Sequence, residues 1–167
     1  MIQVYTGNGK GKTTASLGLA LRAAGAGLKV YIGQFIKKGC YSEIKILKKI
    51  KNITIEQFGR GCFINRKPNK KDMESANKGL EKVRKAILDN RYDLIILDEI
   101  NVALHFKLIE LNDVLDIIKS TPKKTEMVLT GRHAHDKIIK SADLVSYIED
   151  KKHYYNKNLK ARKGIEY

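Results

Sequence analysis

The sequence predicts an α/β fold, a mostly parallel sheet of about six strands with helices on both faces. Three observations lead there. Short apolar runs alternate along the chain with longer patterns of helical period, as strands joined by crossover helices produce. A glycine-rich stretch, Thr6 to Thr14, lies between the first apolar run and the first helical pattern. The run Asp93-Leu94-Ile95-Ile96-Leu97-Asp98-Glu99 has the length of a buried strand and ends in two carboxylates.

Strands are expected at 2–5, 29–35, 53–58, 93–98, 126–130 and 143–149. The first helix, 12–26, carries Leu17, Leu21 and Ala24 at steps of three and four and stops at Gly25-Ala26-Gly27. Between Gly59 and Lys71 the sequence is irregular, too polar for core and longer than a simple connection, which suits a substrate lid. The stretch 69–90 then repeats Met73, Ala76, Leu80, Val83 and Ile87 on one face, the stripe of a core-packed helix. His105 lies on an apparent helix after the 93–98 strand. The last clear helix, 112–120, is expected to have Asn112 as its N-cap and Pro122 just beyond its end.

A chain of 167 residues, 43% hydrophobic and 31% charged, has material for one core, so residues 1–167 are expected to form a single domain. Cys40 and Cys62 stand apart, which speaks against a disulfide framework or a thiolate zinc site. Apolar runs are broken by charge within a few residues, and the chain enters its first strand directly after Met1, so neither a membrane helix nor a secretory signal is expected. The expected location is the cytoplasm.

Thirty-three basic against 18 acidic side chains leave a formal charge of +15. That balance would suit nucleic acid, a membrane surface, an acidic protein or a polyphosphate. A plainer source is composition: 26 of the basic residues are Lys, as AT-rich coding gives, and a run such as Lys45, Lys48, Lys49 and Lys51 reads as a solvated helix face.

The strongest chemical signal is Thr6-Gly7-Asn8-Gly9-Lys10-Gly11-Lys12-Thr13-Thr14. Glycines let backbone N–H groups turn inward around phosphate oxygens, and the helix N-terminus adds positive potential. Lys12 would reach the terminal phosphates and Thr13 would hold a magnesium ion. The pattern departs from G-x-x-x-x-G-K-[ST] because the first glycine falls one place late, at Gly7. Asp98 and Glu99, at the end of a buried strand, are the carboxylates expected to face that magnesium. The fold is accordingly expected to be P-loop NTPase-like, of the RecA-like kind. His133 and His135, two apart after Gly131-Arg132, lack a third ligand of matching type and are expected to form a polar loop rather than a metal site.

These segments resemble the P-loop type of ATP:corrinoid adenosyltransferases. The resemblance runs through Tyr5 to Thr14, Gln34-Phe35-Ile36-Lys37, Leu97-Asp98-Glu99-Ile100-Asn101-Val102-Ala103-Leu104, Leu129-Thr130-Gly131-Arg132, and Lys152-His153 with Ala161 and Gly164-Ile165-Glu166-Tyr167. The late first glycine is itself a feature of that family's loop. What the resemblance implies is transfer of the 5′-deoxyadenosyl group of ATP to cobalt(I) of a reduced corrinoid, with triphosphate leaving. It places Gly7, Asn8, Gly9, Lys10, Gly11, Lys12, Thr13 and Thr14 around the triphosphate, Arg132 on phosphate, and Thr13, Glu99 and Asp98 at magnesium.

Lys12 and Arg132 are then the catalytic cations. Some members carry Phe and Trp in the loop after Gly-x-Gly, where aromatic bulk displaces the lower axial ligand of cobalt. Here the loop reads Gly59-Arg60-Gly61-Cys62-Phe63-Ile64, so Phe63 and Ile64 are the candidates for corrinoid contact, with simple anchoring of the loop as the alternative. The resemblance also implies a homodimer, and the Lys-rich surface suits docking of a reductase or flavodoxin that supplies the electron. Two other readings stay open: a RecA-like ATPase giving ADP and phosphate, and a nucleotide-gated nucleic-acid-binding protein, for which the basic tail 150–163 with Tyr154 and Tyr155 would serve.

Overall fold

The computed structural model describes residues 1–39, 41–61, 68–154 and 159–166. Six strands, β1 (Ile2–Thr6), β2 (Val30–Ile36), β3 (Ile53–Gly59), β4 (Leu94–Asp98), β5 (Glu126–Thr130) and β6 (Leu144–Tyr147), form one sheet in the order β3-β2-β4-β5-β1-β6. Every pairing is parallel. The helices are α1 (Lys12–Gly25), α2 (Ser42–Leu47), α3 (Lys70–Leu88), α4 (Ile100–His105), α5 (Leu111–Ser120) and α6 (Asp136–Lys140).

The α/β expectation is met, and the pleat shows why. Side chains alternate between the faces of a strand. Leu94 and Ile96 of β4 join Val30, Ile32 and Val128 in a core layer closed by Leu17, Ala20 and Ala23 of α1 and Leu47 of α2. Ile95 and Leu97 point the other way and join Tyr31, Phe35, Met127 and Leu129 in a larger layer closed by α3 to α6. A strand buried on both faces has no polar side to show, hence the unbroken apolar run 94–97.

In two helices the expected stripe packs on the core except at one residue each. In α1 the buried residues after Lys12 are Ser16, Leu17, Ala20 and Ala23, while Leu21 is 48% exposed. Small residues bring this helix close to the sheet, and Leu21, about 100° around from Ala20, is left outside. In α3 the stripe runs Ala76, Leu80, Val83 and Ile87, but Met73 in the first turn is 43% exposed. That helix starts at a capping box: Asp72 N–H donates to the Asn69 side chain at 3.2 Å and Asn69 N–H to the Asp72 carboxylate at 2.9 Å.

Asn112 does not cap α5. Glu110 occupies the N-cap and the helix begins at Leu111, which leaves Asn112 inside the first turn. The stop after α1 is as expected: Gly27 takes φ +85°, and the N–H groups of Gly27 and Leu28 close on the carbonyls of Ala24 and Ala23. The final strand is shorter than 143–149 and its four residues are exposed at the sheet edge, paired to β1 alone. No helix is long and apolar enough to cross a membrane among the described residues.

Because all strands run the same way, their C-terminal ends gather on one edge, where open parallel sheets bind ligands. That edge collects Thr6, Gln34, Asp98 and Thr130, with β5 interposed between the strand that feeds the glycine loop and the strand that carries Asp98.

Two helical glycines should respond with opposite sign to the same change. A Cβ at Gly79 would lie 2.6 Å from ring atoms of Phe58, whereas one at exposed Gly18 would meet nothing within 4 Å. Gly79→Ala should cost about 1–3 kcal/mol through overpacking. Gly18→Ala should gain about 0.5–1 kcal/mol from helix propensity, both read from denaturant melts.

Candidate functional site

The glycine loop leaves β1 and wraps back onto the segment after β6. Gly9 N–H donates to the Ile148 carbonyl at 2.8 Å, and Ile148 N–H donates to the Thr6 carbonyl at 2.8 Å. A Cβ at Gly7 would lie 2.4 Å from the Ile148 carbonyl oxygen, and one at Gly9 would lie 2.5 Å from that of Glu149. This contact explains the late first glycine. Thr6 finishes the strand as a buried residue, and Gly7 is the first position needing both positive φ (98°) and room for a neighbouring backbone. Gly11, at φ 119°, is the N-cap of α1. Lys12 is 7% exposed, and its ammonium folds over the loop to donate to the Gly9 carbonyl at 2.5 Å. Asn8 on the loop and Thr14 in the first turn of α1 are exposed.

Asp98, fully buried, is the hub of the sheet edge. Its Oδ1 accepts from the Thr13 hydroxyl at 2.9 Å and the Thr130 hydroxyl at 2.7 Å. Its Oδ2 accepts from Gln34 Nε2 at 3.1 Å and Lys37 Nζ at 2.9 Å. Gln57 Nε2 in turn donates to Gln34 Oε1 at 3.1 Å. Four donors from α1, β5, β2 and the turn after β2 thus converge on one carboxylate. The sequence reading brought Thr13 and Asp98 together correctly and gave no role to Gln34, Lys37 or Thr130. A signal was available: each is a polar residue at or just past the C-terminal end of an apolar strand, where a parallel sheet keeps its chemistry.

Glu99 follows at φ 61°, a left-handed conformation uncommon for a non-glycine residue, with its N–H donating to Thr130 Oγ1 at 3.0 Å. Burial and the neighbouring Asp98 carboxylate push the Glu99 pKa up, against the pull of Lys37, Lys12 and Arg132. Burial and Arg132 push Lys12 down, with Glu99 opposing. Arg132 itself is exposed beside them, after Gly131, which packs against α4 at φ 129°. Lys12, Arg132 and Glu99 therefore lie within electrostatic reach of one another, and the two cations repel. A polyanion placed between them would relieve that repulsion.

Thr13, Asp98 and Glu99 supply oxygen donors, the type that magnesium prefers. The Lys37 ammonium also rests on Thr13 Oγ1 at 2.9 Å, so the space between Thr13 and Asp98 already takes a positive charge. The donor set fits a hard cation.

Lys10 points elsewhere. Its ammonium donates to Tyr154 OH at 2.8 Å, the Ile165 carbonyl at 3.2 Å and Glu166 Oε1 at 3.2 Å, which ties the loop to the C-terminal segment. The Arg162 guanidinium lies 4.9 Å from the centre of the Tyr154 ring. That ring is thereby taken up by two cations. His135 Nδ1 accepts from Lys137 N–H at 3.1 Å as the N-cap of α6, and His133 stacks on His105 with ring centres 4.1 Å apart. The described residues contain no group of three His, Cys, Asp or Glu placed to hold a metal. Residues 62–67 of the expected lid, Phe63 and Ile64 among them, lie outside the described residues.

A family model described as ATP:corrinoid adenosyltransferase BtuR/CobO/CobP matches residues 1–167. The chain is also similar to proteins named corrinoid adenosyltransferase in three bacteria. In a Sinorhizobium species the identity is 34% over 171 residues, covering all of this chain and 80% of that protein. In Pseudomonas aeruginosa PAO1 it is 31% over 169 residues, all of this chain and 83% of the relative. In Escherichia coli K12 it is 30% over 167 residues, all of this chain and 85% of the relative.

The raised Glu99 pKa has a stability consequence. Between the ordinary carboxylate range and that raised value the folded state binds more protons than the unfolded state, so stability falls as pH rises. Glu99→Gln removes the penalty. In nucleotide-free protein at neutral pH it should gain about 0.5–2 kcal/mol, the usual range for relieving a destabilised functional site. Denaturant melts across pH should show the gain shrinking as pH falls through the raised value and vanishing below the ordinary carboxylate range, where the wild-type carboxyl is protonated in both states.

Proposed function

The chain belongs to the ATP:corrinoid adenosyltransferase family, and from that premise we propose that it transfers the 5′-deoxyadenosyl group of ATP to the cobalt(I) of a reduced corrinoid and releases inorganic triphosphate. The observation that carries this reading is the meeting of the glycine loop, Lys12 and the Asp98 hub at one sheet edge, in a chain matched by the family along residues 1–167. Residues 1–167 act as one adenosyltransferase domain.

The electron count is simple. The cobalt(I) lone pair forms the cobalt–carbon bond, the bond from ribose C5′ to its oxygen breaks, and triphosphate leaves with that electron pair. No proton moves, so no general base is required of the protein. What is required is alignment of carbon with cobalt and neutralisation of charge growing on the leaving group. Lys12 lets go of the Gly9 carbonyl and reaches the phosphates, and Arg132 approaches from the β5–α6 loop. The amides from Gly7 to Thr14, including those of Asn8, Gly9, Lys10 and Gly11, line the triphosphate. When bound at Thr13, Asp98 and Glu99, magnesium supplies positive charge to the polyphosphate oxygens.

Phe63 and Ile64 are the proposed apolar contacts for the corrinoid, and cobalamin synthesis or salvage is the proposed setting. A flavodoxin or reductase docking on the Lys-rich surface would deliver the electron, the protein would work as a homodimer, and the cytoplasm would be its compartment. The nucleic-acid reading weakens because Tyr154, one of the two aromatics it would use for stacking, is held by Lys10 and Arg162.

Incubation with ATP, magnesium, a corrinoid and a strong reductant should yield triphosphate and an adenosylated corrinoid in equal amounts. ADP and phosphate formed without regard to corrinoid would overturn the proposal in favour of an ATPase. Lys12→Ala should lower turnover by about 10²–10³, the scale of losing one charge-stabilising group, while leaving the thermal transition near wild type.

A further inference from the structure

Lys37 is a cation to which the proposed chemistry gives no part, yet it sits at the centre of the site. Its side chain is 17% exposed, and its ammonium bridges Thr13 Oγ1 and Asp98 Oδ2 at 2.9 Å each. The backbone is bent to bring it there. Ile36, a β-branched residue, takes φ 66°, and Lys37 N–H donates back to the Phe35 carbonyl at 2.6 Å, closing a three-residue turn at the end of β2. Gly59 N–H holds the Lys37 carbonyl from β3 at 3.1 Å, and a Cβ on Gly59 would lie 1.8 Å from the Ile36 carbonyl oxygen. Left-handed backbone at a β-branched residue persists only where the surroundings impose it, and such strain gathers at functional sites.

The hydrogen-bond inventory shows what Lys37 obstructs. A carboxylate offers about four lone-pair sites, and Asp98 already has four donors. The Thr13 hydroxyl spends its proton on Asp98 and accepts from Lys37. A divalent ion can therefore reach these oxygens only if a donor withdraws. Thr13, Thr130 and Gln34 are short side chains fixed on α1, β5 and β2, whereas Lys37 has a flexible four-carbon stem and a rotatable ammonium.

We infer that Lys37 is a resident counter-cation: in nucleotide-free protein its ammonium holds the Thr13–Asp98 pair and competes with the divalent ion for it. A polyphosphate entering with the metal gives the ammonium new oxygens to bind, so metal and polyphosphate enter together and the metal alone binds poorly. This rests on the proposed magnesium position at Thr13 and Asp98. Lys37 is a positioning residue here, acting through that pair.

The test is Mn²⁺ titration of nucleotide-free protein, followed by the electron paramagnetic resonance signal of free Mn²⁺, for wild type, Lys37→Met and Lys37→Gln. Lys37→Gln keeps a hydrogen-bonding side chain and carries the same expectation should Lys37→Met fail to fold. The variants should bind Mn²⁺ roughly tenfold more tightly than wild type, equivalent to about 1.4 kcal/mol. The gap should narrow when inorganic tripolyphosphate is present. A purely structural lysine would not raise metal affinity when removed. Equal Mn²⁺ affinity in wild type and variants would overturn the inference and leave the magnesium reading standing. If none of the proteins retains Mn²⁺, even with tripolyphosphate, the magnesium position itself is wrong and the inference falls with it.

Discussion

A carboxylate with no exposure to water organises this protein's site. Removing a charge from water costs several kcal/mol unless the interior supplies donors and countercharge. Asp98 meets that demand through Thr13, Thr130, Gln34 and Lys37, which come from α1, β5, β2 and the turn after β2. Each donor fixes the end of the element that carries it. Satisfying one buried charge therefore fixes the geometry of the edge where the glycine loop opens. The parallel sheet makes this possible, because only strands running in the same direction deliver these side chains to one edge.

The same site stores unfavourable electrostatics. Lys12 is pushed down by burial and by Arg132, while Glu99 is pushed up by burial and by Asp98. Like charges held close beside buried groups weaken the nucleotide-free protein, and under the proposed function a polyanion and a hard cation would relieve them. The left-handed backbone at Ile36, next to Lys37, and at Glu99, next to Asp98, belongs to the same pattern. The proposed adenosyl transfer, in which no proton moves, would need little more from the protein than such fixed charges and alignment.

Much of this was legible in the residues. The alternation of apolar runs gave the sheet, the glycine loop gave its working edge, and Asp98 at the end of an apolar strand gave the partner of Thr13. On α1 the expected Leu17 and Ala24 pack on the core but Leu21 does not, because the contact beside Leu17 is made by small residues, Ser16, Ala20 and Ala23, whose role is closeness rather than area. Asn112 has the chemistry of a cap, but the helix starts one residue earlier. Gln34, Lys37 and Thr130 were given no role because their only local mark, a polar residue at or just past the end of an apolar strand, does not say which partner it meets. Their importance comes from pairing with Asp98 across 64, 61 and 32 positions of sequence. The histidines show the converse: a suggestive spacing resolves into a helix cap at His135 and a stacked pair at His133 and His105.

The central claim is that Asp98 organises a site for magnesium and polyphosphate. Calorimetric binding of ATP with magnesium to Asp98→Asn, beside wild type and with circular dichroism as a check on the fold, tests it most directly. An amide keeps the size but cannot accept all four donors or balance Lys37. The account predicts an affinity at least roughly tenfold weaker, about 1.4 kcal/mol, in a protein that retains its secondary structure. Wild-type affinity in the folded variant would contradict it.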